Sequence, residues 1–244
     1  MARKDLMRGC FAALCLVATL AAAGEEIAVS FARGGWNPKD WIDIKSARWE
    51  YIKPFVQMDG HVMNCCPEGV SDEELYAKRV CEVYSSMLYA KKFTAKAEIT
   101  ATMSFDHLMA PEIMIVPEIY RDDKGRPVYH EHFEVVLFNE GFNVWRYTWK
   151  DGRPSWRKVA FLRTPFEPKR PYTVKVTLER RKDTKELTVS CDGHTFGYAD
   201  DLLPDTFYTG ITGCEGRCRF YDFKVKAALR GLSDAEAAAA DGEH

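Results

Sequence analysis

The sequence predicts an all-β fold, a jelly-roll sandwich of two antiparallel sheets. Three observations predict it. Short apolar runs with period-two alternation recur along most of the chain, the signature of strands with one buried face. Gly, Pro or Asp clusters separate them at intervals that suit hairpins and sheet crossovers. Amphipathic helical periodicity is almost missing, which excludes the α/β and helical-bundle architectures.

Taken in order, Glu26–Phe31 reads as a first strand, and Gly34-Gly35 breaks it. Trp36, Trp41 and Trp49 crowd the next segment, a density that points to core packing under a loop. Phe55–Met63 reads as a short hairpin about Asp59-Gly60. Ser71, with Glu74 three residues on, is a capping box, so a turn or two of helix is expected. From Val80 the pattern is β. Its cleanest run places Ala97, Ile99, Ala101, Met103 and Phe105 on one face and Lys96, Glu98, Thr100, Thr102 and Ser104 on the other. Strands over 113–120, 155–163, 172–180, 187–191, 195–199, 207–214 and 219–226 complete the series. The Ala- and acid-rich residues 229–244 form a tail that is either a short exposed helix or disordered.

The centre of the chain is Tyr129–Trp149, two strands joined by Asn139-Glu140-Gly141. Phe133, Val135 and Leu137 face one way and His130, His132 and Glu134 the other, because strand side chains alternate. Trp145, Tyr147 and Trp149 share a face of the second strand. A row of titratable groups therefore lies beside a row of aromatics, the best candidate for a site.

Residues 1–23 read as a signal peptide: Arg3, Lys4 and Arg8, an apolar run from Cys10 to Leu20 too short to span a bilayer, and Ala21–Ala23 as cleavage site. The expectation is a secreted or periplasmic protein beginning near Gly24, with a single domain over 24–228 and no membrane span in the mature chain. Losing residues 1–23 removes three basic residues and one acidic residue, so the net charge moves from −2 to −4. A weakly acidic surface argues against a nucleic-acid partner. Cys65, Cys66, Cys81, Cys191, Cys214 and Cys218 remain, and in an exported protein disulfides are the default. Cys214 and Cys218 flank Glu215-Gly216-Arg217, a spacing that predicts a bridge across a hairpin. Paired C-x-x-C spacing, which a zinc site would need, is not found.

The stretch from Pro171 to Val225, with Cys191-Asp192-Gly193, Leu203-Pro204, Gly210-Ile211 and the closing run FYDFKV, resembles the concanavalin A-like lectin/glucanase superfamily. Within it the chain is similar to laminin-G-like and bacterial keto-disaccharide-hydrolase-like sandwich domains, over about two thirds of the mature chain. The resemblance implies the sandwich and a carbohydrate partner, but no activity, because this fold hosts lectins, glycosidases and adhesion modules alike. In the glucanases of this superfamily the catalytic strand reads E-x-D-x-E, and retaining hydrolysis needs two carboxyls about 5 Å apart. His130-Glu131-His132-Phe133-Glu134 is similar in register: Glu134 matches the acid/base, but His130 and His132 stand where the nucleophile and the aspartate belong. Glu131 faces away, so the carboxylate pair is missing.

The expected function is glycan contact on a concave sheet face, with Trp145 and Tyr147 stacking on sugar rings and Asn143 and Arg146 bonding hydroxyls. One alternative is a glycoside or keto-sugar hydrolase with Glu134, His132 and His130 as catalytic groups. Another is a non-catalytic adhesion or assembly module with all its aromatics buried. No cofactor is required. Two metal readings stand beside this: a transition metal on His130, His132 and Glu134, and a structural calcium at Asp122-Asp123 or Asp200-Asp201.

Overall fold

The computed structural model describes residues 25–78, 83–181 and 183–229. The expected signal peptide, Cys81 and all but the first residue of the expected tail lie outside them.

Nineteen strands, one short α-helix and a single 3-10 turn (Pro38–Asp40) account for most of the described chain: β1 (Glu25–Ser30), β2 (Trp41–Asp43), β3 (Lys45–Ser46), β4 (Val56–Gln57), β5 (Val62–Met63), α1 (Asp72–Lys78), β6 (Ser85–Tyr89), β7 (Phe93–Thr94), β8 (Ala97–Phe105), β9 (Pro111–Val116), β10 (Tyr120–Arg121), β11 (Pro127–Tyr129), β12 (His132–Phe138), β13 (Gly141–Lys150), β14 (Arg153–Arg163), β15 (Tyr172–Arg181), β16 (Thr184–Cys191), β17 (His194–Ala199), β18 (Thr206–Gly213) and β19 (Cys218–Ala227). The helix is closed by the expected capping box. The Ser71 N–H donates to Glu74 Oε2 at 3.0 Å and the Glu74 N–H to Ser71 Oγ at 3.2 Å.

Two large sheets form the sandwich. One runs β17-β16-β15-β8-β19-β5-β4, with β1 beside β19; the other runs β14-β13-β12-β9-β18-β6-β2, with β7 beside β18. All of their pairings are antiparallel. Period-two alternation does the folding. Ala97, Ile99, Ala101, Met103 and Phe105 of β8 meet Phe133, Val135 and Leu137 of β12 in one continuous core, as the sequence predicts. Each large apolar side chain so buried contributes about 1.5–3 kcal/mol.

The outer face of the β12 sheet is not left to solvent. A third, three-stranded sheet, β10-β11-β3, lies over part of it. Ile44, Tyr84, Leu88, Met114, Val116 and Tyr129 form a second apolar cluster beneath that cover. This explains why β9 and β12 are buried along their whole length and do not alternate between core and solvent.

The β12–β13 turn is tight, with Phe138 paired to Gly141. Gly141 has φ +149°, and a Cβ there would lie 2.1 Å from the Leu162 carbonyl oxygen of β14, so only glycine fits.

The expected Cys214–Cys218 bridge is not formed; both are thiols. The residues do not flank a hairpin. β18 ends in one large sheet and β19 begins in the other, so Glu215-Gly216-Arg217 crosses between sheets. Cys214 packs beside the outer cluster, whereas Cys218 is wholly buried in the inner core.

Candidate functional site

A cavity of about 390 Å³ opens on the outer face of the β12 sheet. The β-ladder builds its floor, because directly opposed residues of an antiparallel pair share a face. One row runs Thr212–Glu112–Val136–Asn143 across β18, β9, β12 and β13. The next runs Met114–Glu134–Trp145–Lys158, and a third places His132 beside Tyr147 and Tyr147 beside Trp156. A register shift between Val144 and Trp145 in the β13–β14 pairing adds a bulge at the cavity, a device that re-aims side chains. The segment after β3 supplies Arg48 and Trp49 as a wall.

His132 and Glu134 are both buried, and His132 Nε2 lies 3.0 Å from Glu134 Oε1. The other ring nitrogen, Nδ1, is 2.9 Å from the His130 carbonyl oxygen. A carbonyl only accepts, so Nδ1 carries a proton. The Nε2–Oε1 contact then holds one proton, on either partner. The ring is fixed further by stacking on Tyr147, with centroids 4.3 Å apart and planes 13° apart, and by the edge of Tyr129.

The second carboxyl that the sequence reading lacks comes from another strand. Glu112 of β9 lies diagonal to Glu134 on the same face, since Glu112 opposes Val136 and Glu134 opposes Met114. Burial, reinforced by the charge of Glu134, pushes its carboxyl well above the usual range, although the Cys214 thiol donates to its Oε1 at 3.2 Å. Its Oε2 is buried without a partner, as are Asn143 Oδ1, Arg48 Nε and Trp49 Nε1, among the described residues. Each such group costs about 1–3 kcal/mol until something bonds it. All four belong to side chains that line the cavity.

The Arg48 guanidinium rests on three rings, with Cζ 5.3 Å from the centroid of Trp49, 5.2 Å from Tyr147 and 5.4 Å from Trp156. Trp156 stacks on Tyr147 at 6.1 Å and is 49% exposed, so it stands at the mouth.

Of the residues predicted from sequence, Glu134, Asn143, Trp145 and Tyr147 all line this cavity, with His132 behind Glu134. Two do not join them. Arg146 alternates to the opposite face, where its Nη1 donates to Asp200 Oδ2 at 2.7 Å. His130 precedes β12, and its ring is stacked between Tyr120 and Trp149 at 4.6 and 4.4 Å. His130, His132 and Glu134 therefore do not converge, and among the described residues no group of three or more His, Cys, Asp or Glu side chains is disposed to hold a metal ion. One aspartate of each acidic doublet is taken up by protein side chains. Asp122 Oδ2 is 3.1 Å from Lys45 Nζ and 2.7 Å from Arg126 Nη2, and Asp200 bonds Arg146 and the Tyr198 hydroxyl.

Glu112, Arg48, Trp49, Trp156 and Lys158 are the site residues that the sequence reading missed. One signal was available for Glu112: a lone carboxylate inside the apolar run Pro111–Val116 is costly unless it has a role.

No protein family and no curated protein matches the chain. Solved structures match at the level of fold. The acidic lectin of winged bean, complexed with methyl-α-D-galactose, aligns with a TM-score of 0.53 at 9% identity, over 85% of this chain and 100% of the lectin. The exoplasmic/lumenal domain of VIP36, in its Ca²⁺/Man3GlcNAc-bound form, gives 0.52 at 11% identity, over 86% of this chain and 92% of that one. The carbohydrate-binding module CBM66 of Bacillus subtilis gives 0.50 at 10% identity, over 77% and 96%. The chain thus has the concanavalin A-like lectin/glucanase fold, the sandwich that the sequence predicts.

Proposed function

We propose that this is an exported carbohydrate-binding protein whose ligand occupies the cavity over β12 and β13. The observation that carries the reading is the composition of the cavity. Trp49, Trp145, Tyr147 and Trp156 offer ring faces, and Glu112, Asn143 and Arg48 offer buried polar atoms without partners among the described residues. A pyranose has the same two-sided character: apolar C–H faces that pack on aromatics, and a rim of hydroxyls that needs donors and acceptors. The cavity's volume suits a small ligand. Two folds like this one are known with methyl-α-D-galactose or Man3GlcNAc bound, which supports the class of ligand.

The test is a glycan-panel titration of the purified protein beside Trp145→Ala and Asn143→Ala. Binding that both substitutions weaken supports the reading. A folded protein that binds no glycan would sink it and leave the adhesion or assembly role.

One observation favours hydrolysis as a second reading. Two carboxyls, Glu112 and Glu134, sit diagonally on adjacent strands of one cavity floor. Their environments differ: Glu112 is pushed up by burial, while Glu134 shares a proton with His132. A protonated acid beside a second carboxyl is the minimum apparatus for glycosidic cleavage. Glu134, through the proton it shares with His132, then acts as acid/base, and Glu112 serves as the second carboxyl once it has given up its own proton. Release of reducing ends from a panel of polysaccharides, lost in Glu134→Gln and Glu112→Gln, would establish this reading.

A further inference from the structure

We propose that the ligand is an anionic sugar, one bearing a carboxylate or a sulfate, and that Arg48 with Lys158 receives its charge. The inference rests on the carbohydrate reading above and adds the ligand's chemical class.

The argument starts from the ionisable side chains that line the cavity: Arg48, Lys158, Glu112, Glu134 and Glu215. At first count this set is acidic, three carboxyls against two cations. The geometry reverses that balance. Glu134 shares a proton with His132, and wherever the proton sits the two carry no net charge together. Glu112 is wholly buried, and burial holds its carboxyl protonated and uncharged. Tyr84, Tyr147 and Cys214 complete the titratable lining, and burial pushes the Tyr147 hydroxyl and the Cys214 thiol up, so they are neutral as well. What remains is Arg48, Lys158 and Glu215. The cavity is net positive although its residue list is not.

The cation is also presented for use. The Arg48 side chain is held in place by the faces of Trp49, Tyr147 and Trp156, and its Nε is buried without a partner among the described residues. An arginine that only balanced Glu134 would point its fork at that carboxylate; this one is spread across aromatic faces. A stacked guanidinium keeps its in-plane N–H donors free, and a planar fork fits a carboxylate or a sulfate edge. Lys158 opposes Trp145 across the β13–β14 ladder, at the exposed side of the same cavity. A sugar whose ring packs on Trp145 therefore has a cation within reach of its substituents.

The experiment is calorimetric titration of the full chain with three oligosaccharide sets of matched length: neutral glucan or mannan, oligouronate, and sulfated oligosaccharide. Each is run on wild type, Arg48→Gln, Arg48→Lys and Lys158→Gln, with circular dichroism as the check on folding. Preferred binding of the uronate or the sulfated set is expected, weakened tenfold or more by Arg48→Gln and severalfold by Lys158→Gln. Lys158 is exposed, so Lys158→Gln keeps the test decisive should Arg48→Gln unfold. Arg48→Lys separates the two sources: loss of uronate binding in it marks bidentate carboxylate recognition, and retention of sulfate binding marks a point-charge contact. Equal or stronger binding of the neutral set, or anionic binding that neither substitution changes, would overturn the inference while leaving the carbohydrate reading intact. Binding of none of the three sets would overturn the carbohydrate reading itself.

Discussion

His132 Nε2 and Glu134 Oε1 lie 3.0 Å apart, and the His130 carbonyl at Nδ1 leaves that contact one proton to hold. Neither partner is replaceable by an inert group of like size without consequence. Glu134→Gln keeps a donor for Nε2, since an amide N–H can donate to the neutral ring. It is therefore expected to fold with near wild-type Tm and to bind sugar within about threefold of wild type, because the hydrogen-bonded core of the site survives. It removes the only transferable proton of the pair, so any glycosidase activity falls by a factor of about 10² or more. His132→Ala instead leaves Glu134 buried and unpaired and deletes the ring stacked on Tyr147, at a cost of about 1–3 kcal/mol in stability. Thermal melts and a reducing-end assay on the two variants separate the roles.

Glu112 gives the fold a pH dependence of defined sign. Burial first, and Glu134 second, raise its carboxyl well above the ordinary value of 4.5. Above that value the unfolded chain has lost this proton and the folded chain has kept it. The native state then binds more protons, and stability from this group falls as pH rises from about 4.5 toward the folded value. Glu112→Gln removes the slope, keeps an acceptor for the Cys214 thiol and is expected to raise Tm at pH 7 relative to wild type, with the gap closing toward pH 4. The same Tm difference at both values would mean that Glu112 is ionised in the folded protein.

The architecture was legible because alternation is a local signal: β8 reads correctly from its own residues, and so do the Ser71/Glu74 capping box and the common face of His132, Glu134, Trp145 and Tyr147. What was not legible depends on which strands become neighbours. Glu112 is 22 residues from Glu134 in sequence and adjacent only because β9 pairs with β12. Trp49 reads as core packing under a loop, and Arg48 beside it has no signal of its own; the three-stranded cover that brings them over the β12 sheet includes a parallel pairing of β3 with β11, which no hairpin signal encodes. Arg146 was misplaced for a different reason: period two already assigns it to the face opposite Trp145 and Tyr147, and its residue type outweighed its position. Cys214 and Cys218 failed because a short spacer between strand-like runs was taken for a hairpin, when it crosses between sheets.

Trp156 and Arg146 should separate binding from stability. Trp156 is half exposed at the cavity mouth, so Trp156→Ala removes a stacking surface worth about 1–2 kcal/mol to a ligand, roughly tenfold in affinity, while changing stability by about 0.5 kcal/mol or less. Arg146→Ala should do the reverse. Its loss leaves Asp200 mostly buried beside the Tyr198 hydroxyl without its cation, lowering stability by about 1–3 kcal/mol with glycan affinity unchanged. Titration and melting of both variants check the pair of expectations; a drop in affinity for Arg146→Ala would place the ligand across the sheet edge and not on its outer face.

The thiols provide the last expectation. Burial pushes Cys66 up to about 11 and Cys191 up to about 12, so neither is a thiolate near neutral pH. Both should resist iodoacetamide at pH 8 in the folded protein and react once it is denatured. Cys214 and Cys218 face different clusters, and Cys214 is held by Glu112, so forming a bond between them would require the Glu215–Arg217 crossover to rearrange and would leave the Glu112 carboxyl without its donor. Denaturation without reductant, alkylation and peptide mapping should therefore find Cys214 and Cys218 alkylated separately. A bridged Cys214–Cys218 peptide would show that the crossover adopts another arrangement, and would predict a loosened Glu112 and a weaker pH dependence of Tm.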